Sequence, residues 1–550
     1  NFGTLTEESA EEWIKMCKNL GFNQIDSHGG GDFFRFGDFE LNREKWPEGW
    51  ENFRRINQKL HDAGISSIFH TYAFFIDKNS KYVTPVPRED LAFFGTFTLA
   101  APFSKGDTEI VVNEPTSGIS TTTGFFVRNS LSLRIGSEII EFKDVTRTPP
   151  YKFTGCRRGM CGTSESNHQS GEKAYHLREM FGRFVPDPES ALFDEIAAHT
   201  AEIVNQCRFD GIYFDAIDGS DILGGEENFW YYGTSFIFEV AKRLERPVGM
   251  EMSSMSHHWW HYRSRWQAWD RPVRGYKRFI DIHSAAIKST RLFLPPEIKS
   301  NENEHGLWRG HTPLIDRYAP AENGGLMLPL HLGWWGNQTW NPPQVEPTFP
   351  DDIEYLCCKL LGNNAGFSML GGADDKTLAE NPLFGRIVPL IRQYEDLRHR
   401  NYFSDSVRAL LRVPGREFTL VAGDDNDWYL RPVTYSKHKV EGVNHPSSVW
   451  KISNEYSDLP LKLRLEPLMS VRHYNDPSGI DIAGFSHPEL FIKKGNADGV
   501  DGRLETSSEK QSVAGISGVF SASVSGVPAR EGLWLKLEKK FDPWLNLSDN

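Results

Sequence analysis

Phe209-Asp-Gly-Ile-Tyr-Phe-Asp-Ala-Ile-Asp-Gly219 is the segment from which the fold of this chain is read. Ile212, Tyr213 and Phe214 have the β-branched and aromatic character of a strand buried on both faces, and Asp215 and Asp218 follow where such a strand meets its βα loop. In a (β/α)8 barrel the C-terminal strand ends carry the chemistry, so an acid there is a candidate catalyst. An ordinary α/β strand followed by a helix-capping aspartate would give the same string. The neighbouring segments decide between the two.

Upstream, residues 5–20 place Thr6 as a possible N-cap, acids in the first turn and apolar positions at helical spacing, and Gly21 ends the helix. A strand over 22–28 follows, then a helix near 50–63, Gly64 and a strand over 66–75. From about 86 to 186 short Thr/Val/Ile-rich runs broken by Gly, Ser and Pro predict a small β domain inserted after a barrel strand. A helix over 187–206 leads into the opening segment, and one near 230–245 leads into Val248-Gly-Met-Glu-Met-Ser253. Arg278–His283, Leu326–Trp335 and Ala365–Leu370 are further candidate strands, with a helix over 351–361 before the last.

The expected architecture is an α/β TIM barrel with an inserted β domain and C-terminal β-sandwich units. Its parts are barrel over 1–85, insert over 86–186, barrel over 187–402, sandwich over 403–480 and a further β unit over 481–550. Seven strands are counted where a barrel needs eight, and the chain enters on a helix. The first strand is therefore expected upstream of Asn1 or from another segment.

The composition excludes several classes. With 61 Lys+Arg against 74 Asp+Glu the net charge is −13, the wrong sign for a general nucleic-acid binder. No apolar run is long enough to span a bilayer, so membrane insertion is not expected. Six cysteines in 550 residues make no disulfide scaffold, although Cys156 and Cys161 flank a turn and could pair in an oxidising compartment. Secretion, to the periplasm, cell surface or medium, is the expected location. Aromatic residues reach 13%, including 16 Trp; these can stack on the C–H faces of sugars or simply pack the core.

Period-two alternation collects polar side chains at the strand ends: Asp26 and His28, His70 and Tyr72, Tyr213 and Asp215, Glu251 and Ser253, Asp281 and His283, and His331. Each alone could be a satisfied structural hydrogen-bonder. As a ring they describe a polar cleft, because an unpaired buried polar group costs about 2–7 kcal/mol. Asp215 and Glu251, on adjacent strands, form the candidate catalytic pair for glycosidic cleavage, with Asp281 as the competing acid and Asp218 as a cap or substrate contact. No Cys/His cluster, His-x-His or His-Glu-x-x-His spacing appears, so no metal or cofactor is expected. Gly29-Gly-Gly31 lacks both phosphate-loop patterns and is expected to be a flexible substrate loop.

This layout resembles (β/α)8-barrel glycoside hydrolases of the broad α-galactosidase/α-amylase type. The resemblance rests on Phe209–Gly219 and covers about residues 1–400. It implies a catalytic Asp at Asp215, and an acid/base at Glu251 in the α-amylase-like arrangement or at Asp281 in the α-galactosidase-like one. Separately, Phe153-Thr-Gly-Cys-Arg-Arg-Gly-Met-Cys-Gly-Thr163, with His168 and Gly171, resembles a β-rich module of phage-tail and surface proteins.

Two aromatic clusters, His257-His-Trp-Trp-His-Tyr262 and His331-Leu-Gly-Trp-Trp-Gly336, offer sugar-stacking floors, Trp334 and Trp335 among them, or packing surfaces for the extra domains. Arg263, Arg265, Arg271, Arg274, Lys277 and Arg278 indicate either a uronate or sulfated substrate or a solvated face balanced by Asp270. The expected function is hydrolysis of a complex polysaccharide or oligosaccharide. A polysaccharide lyase using His or Tyr as base is the alternative, and a non-catalytic carbohydrate-binding protein the third reading.

Overall fold

The computed structural model describes residues 1–254 without interruption. Beyond them it describes segments that include 276–289, 331–336, 348–370, 382–424 and 427–440, a stretch reaching Leu465, and six strands between Phe491 and Glu538. Four parallel strands, β1 (Gln24–His28), β2 (Ser66–Thr71), β3 (Gly211–Phe214) and β4 (Gly249–Met252), form one sheet in that order. Two more, β5 (His331–Gly336) and β6 (Gly366–Leu370), pair in parallel. No closed barrel is formed among the described residues.

Helices cover the sheet as a parallel βα arrangement requires. Helix α1 (Ala10–Leu20) starts three residues later than the Thr6 cap predicts; the Ser9 hydroxyl instead accepts from Thr6 N at 2.8 Å. It ends at Gly21, whose φ of 72° is the left-handed stop that glycine adopts freely. Helices α2 (Trp50–Asp62), α3 (Ala191–Cys207) and α4 (Phe229–Ala241) pack Phe53, Ile56, Leu192, Ile196, Phe236 and Ile237 onto β2 and β3. The strands contribute Phe69, Ile212 and Phe214 to this core.

The segment Arg278–His283 is not a strand. It lies inside helix α5 (Tyr276–Ser289), where Ile280 is buried and Ile282 is 55% exposed. A strand would turn both to one face; only helical spacing separates them. Likewise the helical rhythm continues past 400. After α6 (Pro350–Asn363) and α7 (Pro382–His399) comes a further helix, α8 (Asp405–Leu411). Where a sandwich over 403–480 was expected, the described residues hold one antiparallel hairpin, Glu417–Ala422 with Trp428–Val433, bound to α6 through Thr419 Oγ1 and Leu420 N on Glu354. From 491 onward the six strands pair as three nested antiparallel ladders.

Residues 93–177 carry two small antiparallel sheets. One orders Phe93–Thr98, Lys173–Leu177, Ser132–Ile135 and Glu138–Glu141, and the other Glu109–Val111, Lys152–Thr154 and Asp144–Val145. They share a separate core that includes Phe97, Phe103, Ile110, Leu133, Ile140 and Phe153. The chain enters and leaves this unit side by side, with bridges Ile76 to Phe184 and Leu91 to Pro186. All six cysteines are free thiols, Cys156 and Cys161 included. Among the described residues no helix is long and apolar enough to cross a membrane.

Candidate active site

Strand register builds the site. His28 lies opposite His70, His70 opposite Tyr213, and Tyr213 opposite Glu251, so four neighbouring strands place one polar side chain each in a single row. Asp215 and Ser253 extend that row by two residues toward the C-terminal ends, and Asp26 lies two residues below it.

The row is chemically joined. Asp26 Oδ1 accepts a hydrogen bond from His70 Nδ1 at 2.9 Å, and His70 Nε2 faces Asp215 Oδ2 at 3.4 Å. His28 Nδ1 donates to the carbonyl of Gly29 at 2.6 Å, which leaves its Nε2 pointing at the same oxygen, 3.9 Å away. The two imidazoles lie 4.1 Å apart by ring centroid, and Tyr213 meets His70 edge-on at 4.2 Å. Asp215 Oδ1 accepts from Ala216 N at 2.8 Å, and the turn is held by Ala216 at φ 58°, a left-handed conformation that costs a residue with a Cβ.

Burial and charge separate the protonation states. Burial by itself would lower the His70 pKa, yet the flanking Asp26 and Asp215 carboxylates overcome it and push it up to about 9. His28 is driven down to about 4 by burial and by the neighbouring His70 charge. Burial would raise Asp215, but the His70 imidazolium holds it below the ordinary carboxylate value, and Asp26 is lowered in the same way. Asp218 moves in the opposite direction: desolvation and the charge of Asp215 raise it above the ordinary value, against a 2.7 Å hydrogen bond from Ser253 Oγ. The result is an ionised carboxylate beside an imidazolium and, three residues on, a solvent-exposed acid that holds its proton more strongly.

The other expected site residues divide. Tyr72 stacks on Phe36 at 4.5 Å and meets His28 edge-on at 5.6 Å, forming the rim. Trp334 lies 6.2 Å from His70 and 6.3 Å from Tyr213, over the row. Trp335 is core: adjacent strand residues face opposite ways, and its indole donates to Leu332 O at 2.6 Å while packing on Phe279. Trp259 is likewise buried, donating to Thr234 Oγ1 at 3.1 Å; His257, Trp260 and His261 lie outside the described residues. His331 is buried against Ser368 Oγ at 3.1 Å.

Glu251 is only 3% exposed, set below the strand ends with Arg263 charge-coupled to it. Arg263 does not reach for a substrate anion, since it is buried and donates to Met252 O at 2.9 Å and to Ser254 O. Of the remaining cations, Lys277 is paired with Asp351 and Glu417, each at 2.7 Å, Arg278 is exposed on α5, and Arg265, Arg271 and Arg274 lie outside the described residues. Asp281 stands apart from the row on α5, accepting from Tyr355 Oη at 2.6 Å and Gly415 N at 3.1 Å. His283 shares that helix, with its side chain outside the described residues.

Gly29-Gly-Gly31 is a packed turn, not a loose loop. A Cβ on Gly29 would come within 2.4 Å of the Phe34 ring. Two residues of this rim gave no signal in the sequence: Phe36, and Arg183, whose guanidinium sits 4.6 Å from the Phe36 ring and 4.8 Å from that of Tyr72.

His28, His70 and Asp215 each offer one ligand atom, and these lie within 4.8 Å of one another, a spacing a divalent cation could use. Proton and metal compete for this site: the flanking carboxylates raise the His70 pKa to about 9 in the metal-free protein, and metal binding requires the neutral imidazole. A chelator is therefore expected to leave turnover unchanged; loss of activity restored by a divalent ion would reassign the three residues as ligands.

The sequence matches no protein-family model and no curated protein. Solved structures similar to it include glycoside hydrolases. They include the GH36 alpha-galactosidase AgaA from Geobacillus stearothermophilus (10% identity over 76% of this chain and 42% of that one, TM-score 0.35). A putative alpha-N-acetylgalactosaminidase from Bacillus halodurans (11%, 78% and 80%, TM-score 0.35) and the trehalulose synthase MutB (11%, 78% and 87%, TM-score 0.37) are others. The chain spans less than half the length of the GH36 enzyme it matches.

Proposed function

We propose that the protein hydrolyses a glycosidic bond of an oligosaccharide or polysaccharide, on a sheet that closes as a (β/α)8 barrel. The observation that carries this reading is the pair of acids at one strand end: Asp215 facing His70 Nε2 at 3.4 Å, which lowers its pKa, and Asp218 at the solvent edge on Ser253 Oγ, with its pKa raised. Glycosidic cleavage needs one carboxylate to attack or activate water and one carboxylic acid to protonate the leaving oxygen. Asp215 takes the first role. Asp218 takes the second in preference to Glu251, which is buried beneath the floor beside Arg263. His70 positions Asp215, and Asp26 positions His70.

The lyase reading needs a basic His or Tyr and a free cation for the uronate. Tyr213 is fully enclosed and pushed well above its ordinary pKa by burial and by Asp215, while Arg263 is committed to backbone carbonyls. Among the described residues His28, neutral and facing the cleft, and Tyr72 beside it are the candidate bases for that reaction.

A panel of neutral and acidic polysaccharides, assayed both for new reducing ends and for the ultraviolet absorbance of an unsaturated uronate, separates these chemistries. New reducing ends without absorbance are expected. Absorbance that survives Asp215→Asn would establish the lyase, and glycan binding without either signal would establish a binding protein.

The pH profile tests the acid assignment. Activity is expected to fall as pH drops through the lowered Asp215 pKa, because the base must be ionised. It should fall again as pH rises through the raised Asp218 pKa, because the acid must hold its proton. Asp218→Asn should abolish the alkaline limb and spare substrates whose leaving group needs no proton. An unchanged alkaline limb in that variant, with its loss in Glu251→Gln, would return the acid role to Glu251.

A further inference from the structure

The inserted β unit does more than decorate the fold, because one of its loops reaches the mouth of the site. Phe125 and Phe126 stand 40% and 50% exposed on that loop, edge to face at 5.1 Å. Both touch Phe181, at 5.2 and 5.8 Å, and Phe181 meets the rim residue Tyr72 at 6.1 Å. Ring contacts thus link the exposed pair, through buried Phe181, to Tyr72 and His28.

The loop is fixed rather than free-standing. Phe181 N donates to Phe125 O at 2.8 Å, and Asn129 Nδ2 closes the loop base on Ser120 O and Thr122 O at 3.0 and 2.9 Å. Arg128 donates to Phe126 O at 3.1 Å and forms an ion pair with Asp221, three residues after Asp218. Arg178 binds the same turn through Ile222 O at 2.8 Å. The insert and the loop that carries Asp218 are therefore one rigid wall.

We propose that Phe125 and Phe126 form a second sugar subsite, which stacks a ring of the same glycan chain whose scissile bond lies at Asp215 and Asp218. The inference rests on the glycosidic reading and deepens it: the substrate extends at least one residue beyond the cleaved unit. Phenylalanine carries no hydroxyl, so this surface offers only an apolar face, which the C–H face of a pyranose complements. Its continuity with the catalytic rim assigns the occupant, and a second copy of the chain is the competing one.

The test compares Asp215→Asn protein with and without the added pair Phe125→Ser and Phe126→Ser, both exposed positions where folding should be unaffected. A glycan array of neutral and uronate-containing hexasaccharides identifies the bound chain, and calorimetry measures it beside its disaccharide. A loss of about tenfold or more in hexasaccharide affinity, with disaccharide affinity unchanged, is expected. Equal affinities, an equal loss on both lengths, or no oligosaccharide bound on the array would overturn the proposal. So would a dimer seen by analytical ultracentrifugation that the pair converts to monomer. Binding without cleavage by the unmodified protein would sink the catalytic reading while leaving the subsite decided by the affinities.

Discussion

Asp215→Asn is expected to lower turnover by at least about 10³-fold, or about 4 kcal/mol of transition-state stabilisation, while leaving the melting temperature near that of the unmodified protein. The amide keeps the shape of the carboxylate and its bond from Ala216 N, so the turn survives. What disappears is the negative charge that faces an oxocarbenium-like centre, together with the anion that keeps His70 protonated. The same variant should therefore lower the His70 pKa, which is visible as a shifted imidazole resonance in a pH titration. Activity within tenfold of the original would remove Asp215 from the mechanism, and an unmoved His70 would break the proposed link between the two groups.

The second large effect belongs to the insert. Glu138 is fully buried and accepts from Arg158 Nε and Nη2 at 2.8 and 2.9 Å, Gly159 N at 2.9 Å, Ser166 N at 3.1 Å and His168 Nε2 at 2.9 Å. Burial alone would raise its pKa; these donors, His168 and Arg158 foremost, hold it down at about 2. Glu138→Gln leaves buried Arg158 with only the Glu165 carboxylate, 3.6 Å away, as counter-charge and turns an acceptor into a donor, which should cost about 3 kcal/mol. Hydrogen exchange should then show the 93–177 sheets losing protection before the parallel sheet does. Because the folded pKa is depressed, the Glu138 contribution is complete above about pH 4.5 and is lost as pH falls through 2. A variant as stable as the original would deny the clamp its role.

That clamp also shows what the sequence could and could not disclose. Arg158, Gly159 and His168 belong to the segment with the likeness to surface modules, and the structure gives them a purely structural task, gripping one carboxylate. Strands β1 to β4, and the polar residues at their ends, were legible because alternation and βα order are local signals. Register is not local: that His28, His70, Tyr213 and Glu251 share one row depends on pairing across long separations. Facing was equally hidden where two like residues adjoin, so Trp334 and Trp335 looked equivalent although only the first overlies the row. Residues 278–283 form a short apolar run that suits a strand or a helix, and its partner surface on α6 decided the matter. Arg263 illustrates the limit for charge patterns, since a basic cluster does not reveal which of its members are buried.

The side-by-side entry and exit of the insert bear on the order of folding. Asn57 and Cys207 are bonded although 150 residues apart, so β2 and β3 can pair only after a long loop has closed. An insert that condenses first on its own core pins Ile76 beside Phe184 and removes most of that loop. Shortening the flexible connection from roughly 140 to roughly 35 residues lowers the closure cost by about 1 kcal/mol. That corresponds to several-fold faster assembly of the parallel sheet. The insert would then act as an internal clasp, setting the strands side by side before their own contacts exist.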